Sequence, residues 1–342
     1  MLRTSLALII AAWLAHGSCR AASDPEQVAK QVRFSVVAIA VHAGQRPRPD
    51  DRSDEATNPA VRFTTKGAAM GSGVLISADG LVLTVASVLE PPGDITVTFE
   101  GGATKQAQMV GKDSRSGLAL LRVNGPIPAF ASLKPQALPA LGERVVAIGR
   151  TVLEDETFPV VSDGIASAVA DSSPRTMPFI QSTAQLLPGM GGGPLVSQKT
   201  GEIVGINSMI YVSKSFGATM AFAVPIQDFL KIKDQLIARG RVVRPAIGIN
   251  VGPLTDEVRT NVGLAGSDGV LIVGVKDGGA AARGGLRQGD IVLKADGTAV
   301  RTAGGLFEAI GARPPGEVLQ LVVFRNGTQL ALGIRREELA ER

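Results

Sequence analysis

The chain has 342 residues, of which 45% are hydrophobic and 19% charged, with 41 glycines, 4% aromatic residues and a net charge of +4. That much apolar material supplies packed cores for two domains and excludes global disorder. The charges are dispersed, and the densest basic stretch, Arg46 to Glu55, alternates in sign, so nothing marks a nucleic-acid surface.

Arg3 followed by the apolar run Leu6 to Ala15 reads as an export leader, residues 1–21, too short to span a membrane. Cleavage after Ala21 gives a periplasmic protein. Acylation at Cys19 is the alternative and gives a lipoprotein, with His16 standing where such signals want an aliphatic residue. Cys19 is the only cysteine, so no intramolecular disulfide is expected. The two histidines are His16, in the leader, and His42, so neither a metal site nor a cofactor is expected.

A short helix is expected over Asp24 to Val32 and a buried strand over Phe34 to Val41. Gly44 to Asn58, rich in Pro, Arg and Asp, reads as a long loop. Val74 to Ser77 and Leu81 to Thr84 flank Asp79-Gly80, a favoured hairpin dipeptide. Further short strands are expected at Ile95 to Phe99, Leu118 to Val123, Arg144 to Ile148, Gly164 to Val169, Pro194 to Ser197, Ile203 to Ile206 and Met220 to Val224. Even spacing with glycine turns fits a β-barrel or a sandwich, and periodicity leaves that choice open. Ile226 to Arg239 has helical spacing and stops at Gly240.

After the linker Arg241 to Pro245 a second unit begins. Strands are expected near Ile247 to Val251, Val270 to Val275, Ile291 to Ala295, Leu319 to Phe324 and Gln329 to Ile334. Helices are expected at Ala303 to Ala312 and, shorter, at Ala280 to Gly284. Asn326-Gly327 closes the last hairpin. The end, Arg335 to Arg342, reads as charged and solvated.

Five segments carry a resemblance. Gly71-Ser72-Gly73-Val74-Leu75-Ile76-Ser77-Ala78-Asp79-Gly80 resembles the opening of the HtrA-type serine proteases, and Pro188-Gly189-Met190-Gly191-Gly192-Gly193-Pro194-Leu195-Val196 resembles their nucleophile loop. Phe179 to Thr183, Gly201 to Asn207 and Phe222 to Pro225 fit the same family in the same order. The resemblance implies a mainly β protein: a chymotrypsin-like double β-barrel, residues 26–240, followed by a PDZ-like α+β domain, residues 241–335.

Hydrolysis in that fold needs a hydroxyl nucleophile, an imidazole base and a carboxylate to orient the base. Matched to the family's motifs, Ser87 occupies the base position, Gly117 the acid position and Gly191 the nucleophile position. A serine hydroxyl is no base near neutral pH, and glycine supplies neither a carboxylate nor an attacking oxygen. Asp113 lies four residues upstream of Gly117 and His42 far from the Thr84 turn. The hydroxyls of Ser72 and Ser87, with Lys112 or Lys66 as a base, are the remaining route to a relocated set. The N–H groups of Gly189 and Gly191 could survive as an oxyanion-hole remnant.

In the second unit the resemblance makes Ala246-Ile247-Gly248-Ile249 the loop that receives a peptide's terminal carboxylate, with the peptide adding as a strand. Leu306 and Ile310 share a helix face and are expected to line the pocket for the last side chain. The expected function is therefore non-catalytic binding of unfolded segments or protein C-termini in the cell envelope, as scaffold, chaperone-like factor or regulator of an active HtrA-type protease. The alternatives are a serine endopeptidase with a relocated set and a structural subunit of a mixed oligomer. A homo-trimer, as in active relatives, would draw on Phe34 and Phe63.

Overall fold

The turn at Asp79-Gly80 shows how the β structure is made. Gly80 has φ +85°, and a Cβ there would lie 2.0 Å from the Val123 carbonyl oxygen, so only glycine reverses the chain at this point. The computed structural model describes residues 24–42, 63–65, 68–90, 92–153, 156–170, 178–212, 219–264, 266 and 268–339. The expected leader, Cys19, Lys66 and the loop at 44–58 lie outside these residues.

Helix α1 (Pro25–Val32) starts on Asp24, whose carboxylate accepts the Glu26 N–H. Seven strands follow: β1 (Val36–His42), β2 (Phe63–Thr65), β3 (Ala68–Leu75), β4 (Leu81–Val85), β5 (Asp94–Thr98), β6 (Thr104–Lys112) and β7 (Leu118–Val123). They pair in the order β1-β5-β6-β7-β4-β3-β2, and a further β1–β3 pairing closes six of them into a barrel. Val37, Ile39, Leu75, Val82, Val97 and Leu121 share one face of its wall by register, all fully buried. Each contributes about 2 kcal/mol relative to exposure.

The next six strands, β8 (Arg144–Leu153), β9 (Glu156–Ala170), β10 (Phe179–Ser182), β11 (Pro194–Ser197), β12 (Ile203–Val212) and β13 (Thr219–Pro225), form a second closed barrel in the order β10-β13-β12-β11-β8-β9. Val145, Ala147, Ile180, Met190, Leu195 and Ala223 belong to its core. Helix α2 (Ile226–Arg239) follows. The choice left open by periodicity is thus two barrels.

The chain divides into two compact units. The first takes 1–110, 117–169 and 179–231; the second takes 111–116, 170–178 and 232–342. The second carries β14 (Pro245–Ala246), β15 (Ile249–Gly252), α3 (Asp256–Val262), β16 (Val270–Val275), α4 (Ala280–Arg283), β17 (Ile291–Ala295), β18 (Thr298–Ala299), α5 (Ala303–Gly311), β19 (Val318–Arg325), β20 (Thr328–Arg335) and β21 (Glu337–Glu338). Its main sheet runs β15-β16-β17-β19-β20, with β18 on β17 and β14 paired to β21. Helices pack on the sheet around Ile247, Ile272, Leu306, Leu319 and Ile334.

Of the expected solvated end, residues 335 and 337–339 are exposed as expected, but the segment is also held in place. Glu337 and Glu338 pair with Ala246 and Pro245, Leu339 N–H donates to the Arg244 carbonyl at 2.7 Å, and the Arg336 side chain is fully enclosed. The elements not anticipated are the strands β2, β6, β10, β14, β18 and β21 and the helix α3. The last is capped by Thr255, whose hydroxyl accepts the Val258 N–H, and stops at Gly263 with φ +70°.

Candidate functional site

Ser87, Gly117 and Gly191, the positions matched to the family's triad, meet. Strand register sets Val85 opposite Leu118, and the Ala86 N–H donates to the Gly117 carbonyl at 2.7 Å. Ser87 follows in a 3-10 turn, Ala86–Leu89, and is exposed. The next residue, Val88, packs against Gly71, where a Cβ would lie 2.4 Å from Val88 Cγ2 and 3.1 Å from the Gly191 carbonyl oxygen. Ser87, Gly117 and Gly191 therefore share one corner of the first unit, with one exposed hydroxyl and no acid or base among them. Gly117 also has φ +70°, a left-handed conformation that side-chain-bearing residues avoid.

The loop Gly189 to Gly193 is fixed from within. Met190 N–H donates to the Leu187 carbonyl, Gly193 N–H to the Met190 carbonyl and Gly192 N–H to the Asn207 carbonyl, leaving the N–H groups of Gly189 and Gly191 outside these bonds. Met190 is fully buried and its sulfur accepts the Leu187 N–H at 3.2 Å. Ser72 is fully buried too: its hydroxyl donates to the Gly189 carbonyl at 2.7 Å and accepts the Arg150 N–H at 2.8 Å. Its proton and a lone pair are committed to the backbone. Ser72 thus acts as a brace between barrel strands and loop, and its main-chain N–H reaches the Gly191 carbonyl at 2.7 Å.

The other titratable candidates stand elsewhere. His42 ends β1 on the surface, with Nε2 3.5 Å from Thr96 Oγ1. It is three residues past Ile39, the partner of Gly71, which is about 10 Å along a strand. Lys112 is exposed. Asp113, fully buried in the second unit, accepts both terminal nitrogens of Arg244, at 2.5 and 2.8 Å, and the N–H and hydroxyl of Ser116. Burial alone would raise its carboxyl, but the Arg244 and Ser116 hydrogen bonds and the Arg244 charge outweigh that and hold it below the usual carboxylate value.

The second unit holds a cavity of about 630 Å³. Ala246, Ile247, Gly248, Ile249 and Ile310 line it together. Gly248 has φ +75°, which lets the chain turn between β14 and β15. Leu306 does not line the cavity: it is fully buried in the core between α5 and the sheet, while its neighbour Phe307 faces the cavity. The i, i+4 spacing located a helix face, but it could not say which of two adjacent faces the sheet would cover.

A family model described as a trypsin-like peptidase domain matches residues 71–206, and one described as a PDZ domain matches residues 245–335. The solved HtrA-type protease AlgW with a decapeptide aligns over 93% of this chain and 100% of its own, with a TM-score of 0.75 and 28% identity. The chain belongs to the HtrA-type family. A serine endoprotease from Yersinia pestis aligns with a TM-score of 0.70 at 26% identity, over 93% of this chain and 99% of its own. Probable periplasmic DegP-like serine endoproteases of Halomonas elongata and Pseudomonas fluorescens are 35% and 36% identical over 260 and 276 residues. These alignments cover 75% and 79% of this chain but 54% and 57% of the relatives, so this HtrA-type chain spans little more than half their length.

Two features of this HtrA-type chain were missed in the sequence. The Arg244–Asp113 pair joins residues 131 apart and has no local signature. The brace from Ser72 to Gly189 spans 117 positions and also leaves no trace in either motif read alone.

Proposed function

We propose that this HtrA-type chain binds polypeptide segments in the cell envelope and does not cut them. One observation carries the reading: Ser87, Gly117 and Gly191 converge at one corner with neither base nor acid nor attacking oxygen in place. Retained backbone donors alone give a small rate over water, on the order of 10³ to 10⁴-fold. The cavity beside Gly248 is the binding site in this reading, and it fits a chain end: a glycine turn, apolar walls from Ile247, Ile249, Phe307 and Ile310, and an open strand edge at β15. AlgW was solved with a decapeptide, and the DegP-like relatives are named periplasmic, which supports a peptide ligand and an envelope location here.

The names of the relatives favour a second reading, a serine endopeptidase with a relocated set. Digestion of unfolded casein by the purified full chain separates the two. Binding without cutting predicts no cleavage that scales with protein concentration and no labelling by a fluorophosphonate. Cleavage that co-purifies with the chain and disappears in Ser87→Ala would establish the second reading instead. Mass measurement in solution tests the trimer, for which Phe34, 44% exposed under the Arg33 guanidinium, is the surface candidate.

A further inference from the structure

The second unit has another cavity, of about 400 Å³, that shares no wall residue with the one beside Gly248. Its volume falls in the range of small-molecule sites. Turn residues frame it: Gly289 at φ +90°, and Asn326 and Gly327 of the last hairpin at φ +47° and +82°. Its floor is apolar, made by Phe324 and Ile291, both buried. Its ionisable wall residues are Arg287, Asp290 and Arg325. Asp290 is buried and its oxygens are spent within the wall. Oδ1 accepts Arg325 Nε at 2.6 Å, and Oδ2 accepts Arg325 Nη2 and the Arg287 N–H, both at 2.7 Å. One carboxylate thus cancels one guanidinium and offers nothing to a ligand. Arg325 Nη2 also donates to the Gly285 carbonyl at 2.7 Å, which leaves Nη1 and its two N–H donors outside these bonds, on a side chain 18% exposed. Arg287 is exposed, and its guanidinium carries the charge that Asp290 leaves uncancelled.

We propose that this cavity is a second binding site, for a small organic anion. The ligand is a carboxylate or phosphate monoester whose head group is received by Arg287 and Arg325 Nη1 and whose apolar body lies on Phe324 and Ile291. A net positive wall over an apolar floor selects charge and body together: a neutral analogue forfeits the arginines, and a bare inorganic anion forfeits the floor. The site stands apart from the peptide reading, because it uses none of the residues that line the cavity beside Gly248.

Ligand-observed NMR titration of the full chain tests this. The probes are phenylpropionate and phenyl phosphate, with phenylpropionamide as the neutral counterpart and inorganic phosphate as a head group without a body. The better organic anion should bind with a Kd on the order of 1 mM, and the amide and inorganic phosphate about tenfold more weakly. Whichever organic anion binds better names the head group, and either order supports the site. Arg287→Gln alters an exposed side chain, so the fold is retained; it should weaken the better anion about tenfold and leave the amide unchanged. Lys294→Gln makes the same charge change on an exposed residue outside the cavity and should move that anion by less than about twofold. Absence of organic-anion binding up to about 10 mM, or equal binding of acid and amide, overturns the proposal. So does a Kd that Arg287→Gln leaves unmoved, which puts the anion elsewhere, or one that both variants weaken equally, which reduces it to general charge attraction.

Discussion

Gly192 sits at a tight point of the loop Gly189 to Gly193. Its φ is +85°, and a Cβ there would lie 2.1 Å from the Ser72 carbonyl oxygen and 2.3 Å from Thr84 Oγ1. Both neighbours are fixed, since the Thr84 hydroxyl itself donates to that carbonyl at 2.7 Å. Gly192→Ala is therefore expected to cost about 3 kcal/mol, the sum of left-handed strain and a backbone clash, and to lower Tm by roughly 10 °C. Thermal unfolding reads this directly, and a shift of one or two degrees would mean the loop moves aside. Gly191 leads to a different expectation. Gly191→Ser restores an oxygen but neither base nor acid, so casein cleavage should stay at the wild-type level. Detectable turnover in that single variant would show that a base lies within reach. Which residue types stand at the triad-matched positions was legible in the sequence, because it depends only on the residue at each motif position. What surrounds them was not. Ser72 reads as a motif serine, and only the fold shows its hydroxyl bracing Gly189.

Helix α5 presents Phe307 and Ile310 to the cavity beside Gly248, and its C-terminal end is held by one buried side chain. Arg336, 0% exposed, donates to the carbonyls of Ala309 and Ile310 at 2.9 and 3.0 Å and to Asp296 Oδ2 at 2.9 Å. It satisfies helix-end carbonyls that have no partner within the helix. Asp296, at φ +46°, accepts the Gln320 N–H and so ties the helix end to β19. Arg336→Met should cost about 3 kcal/mol by leaving these acceptors buried and unpaired. Arg301→Met, which breaks an exposed pair with Asp268, should leave Tm within measurement error. Calorimetry on both variants checks the contrast, and equal effects would remove Arg336 from its capping role. Elements with a clean period were readable: α2, β11, β16 and β17 have the bounds expected. β6 was missed because Thr104 to Lys112 mixes polar and apolar residues on both faces. α3 was missed because its DEVRTNV sequence has only two apolar residues, Val258 and Val262, and none of its residues is buried. The cap role of Arg336 depends on a partner 26 positions away, which local reading cannot supply.

The two-barrel and PDZ architecture was legible through the ordered motifs, whereas spacing alone stopped at barrel or sandwich, since strand periodicity is identical in both. Charge behaves differently in the two units, and acid should expose the difference. In the second unit, Asp113 and Asp296 are both held below the ordinary carboxylate value. For each, burial acts upward and is outweighed, for Asp113 by the Arg244 and Ser116 hydrogen bonds and the Arg244 charge, for Asp296 by the Gln320 N–H and Arg336. A carboxyl with a depressed folded value stabilises the fold fully above its unfolded value, about 3.9, and loses that contribution as pH falls through the folded value. Protons then bind the unfolded chain more tightly, which pulls the equilibrium toward it. Among the described residues of the first unit, Glu26 and Asp79 are also lowered, by Lys30 and by Ser77 with Arg122, but their side chains are 69% and 59% exposed and screened by solvent. The fall in Tm between about pH 4 and about pH 2 should therefore be smaller in Asp296→Asn than in wild type and unchanged in Asp79→Asn. If Asp79→Asn removes the fall while Asp296→Asn preserves it, acid sensitivity resides in the Asp79 pair of the first unit and not in the Arg336–Asp296 pair of the second.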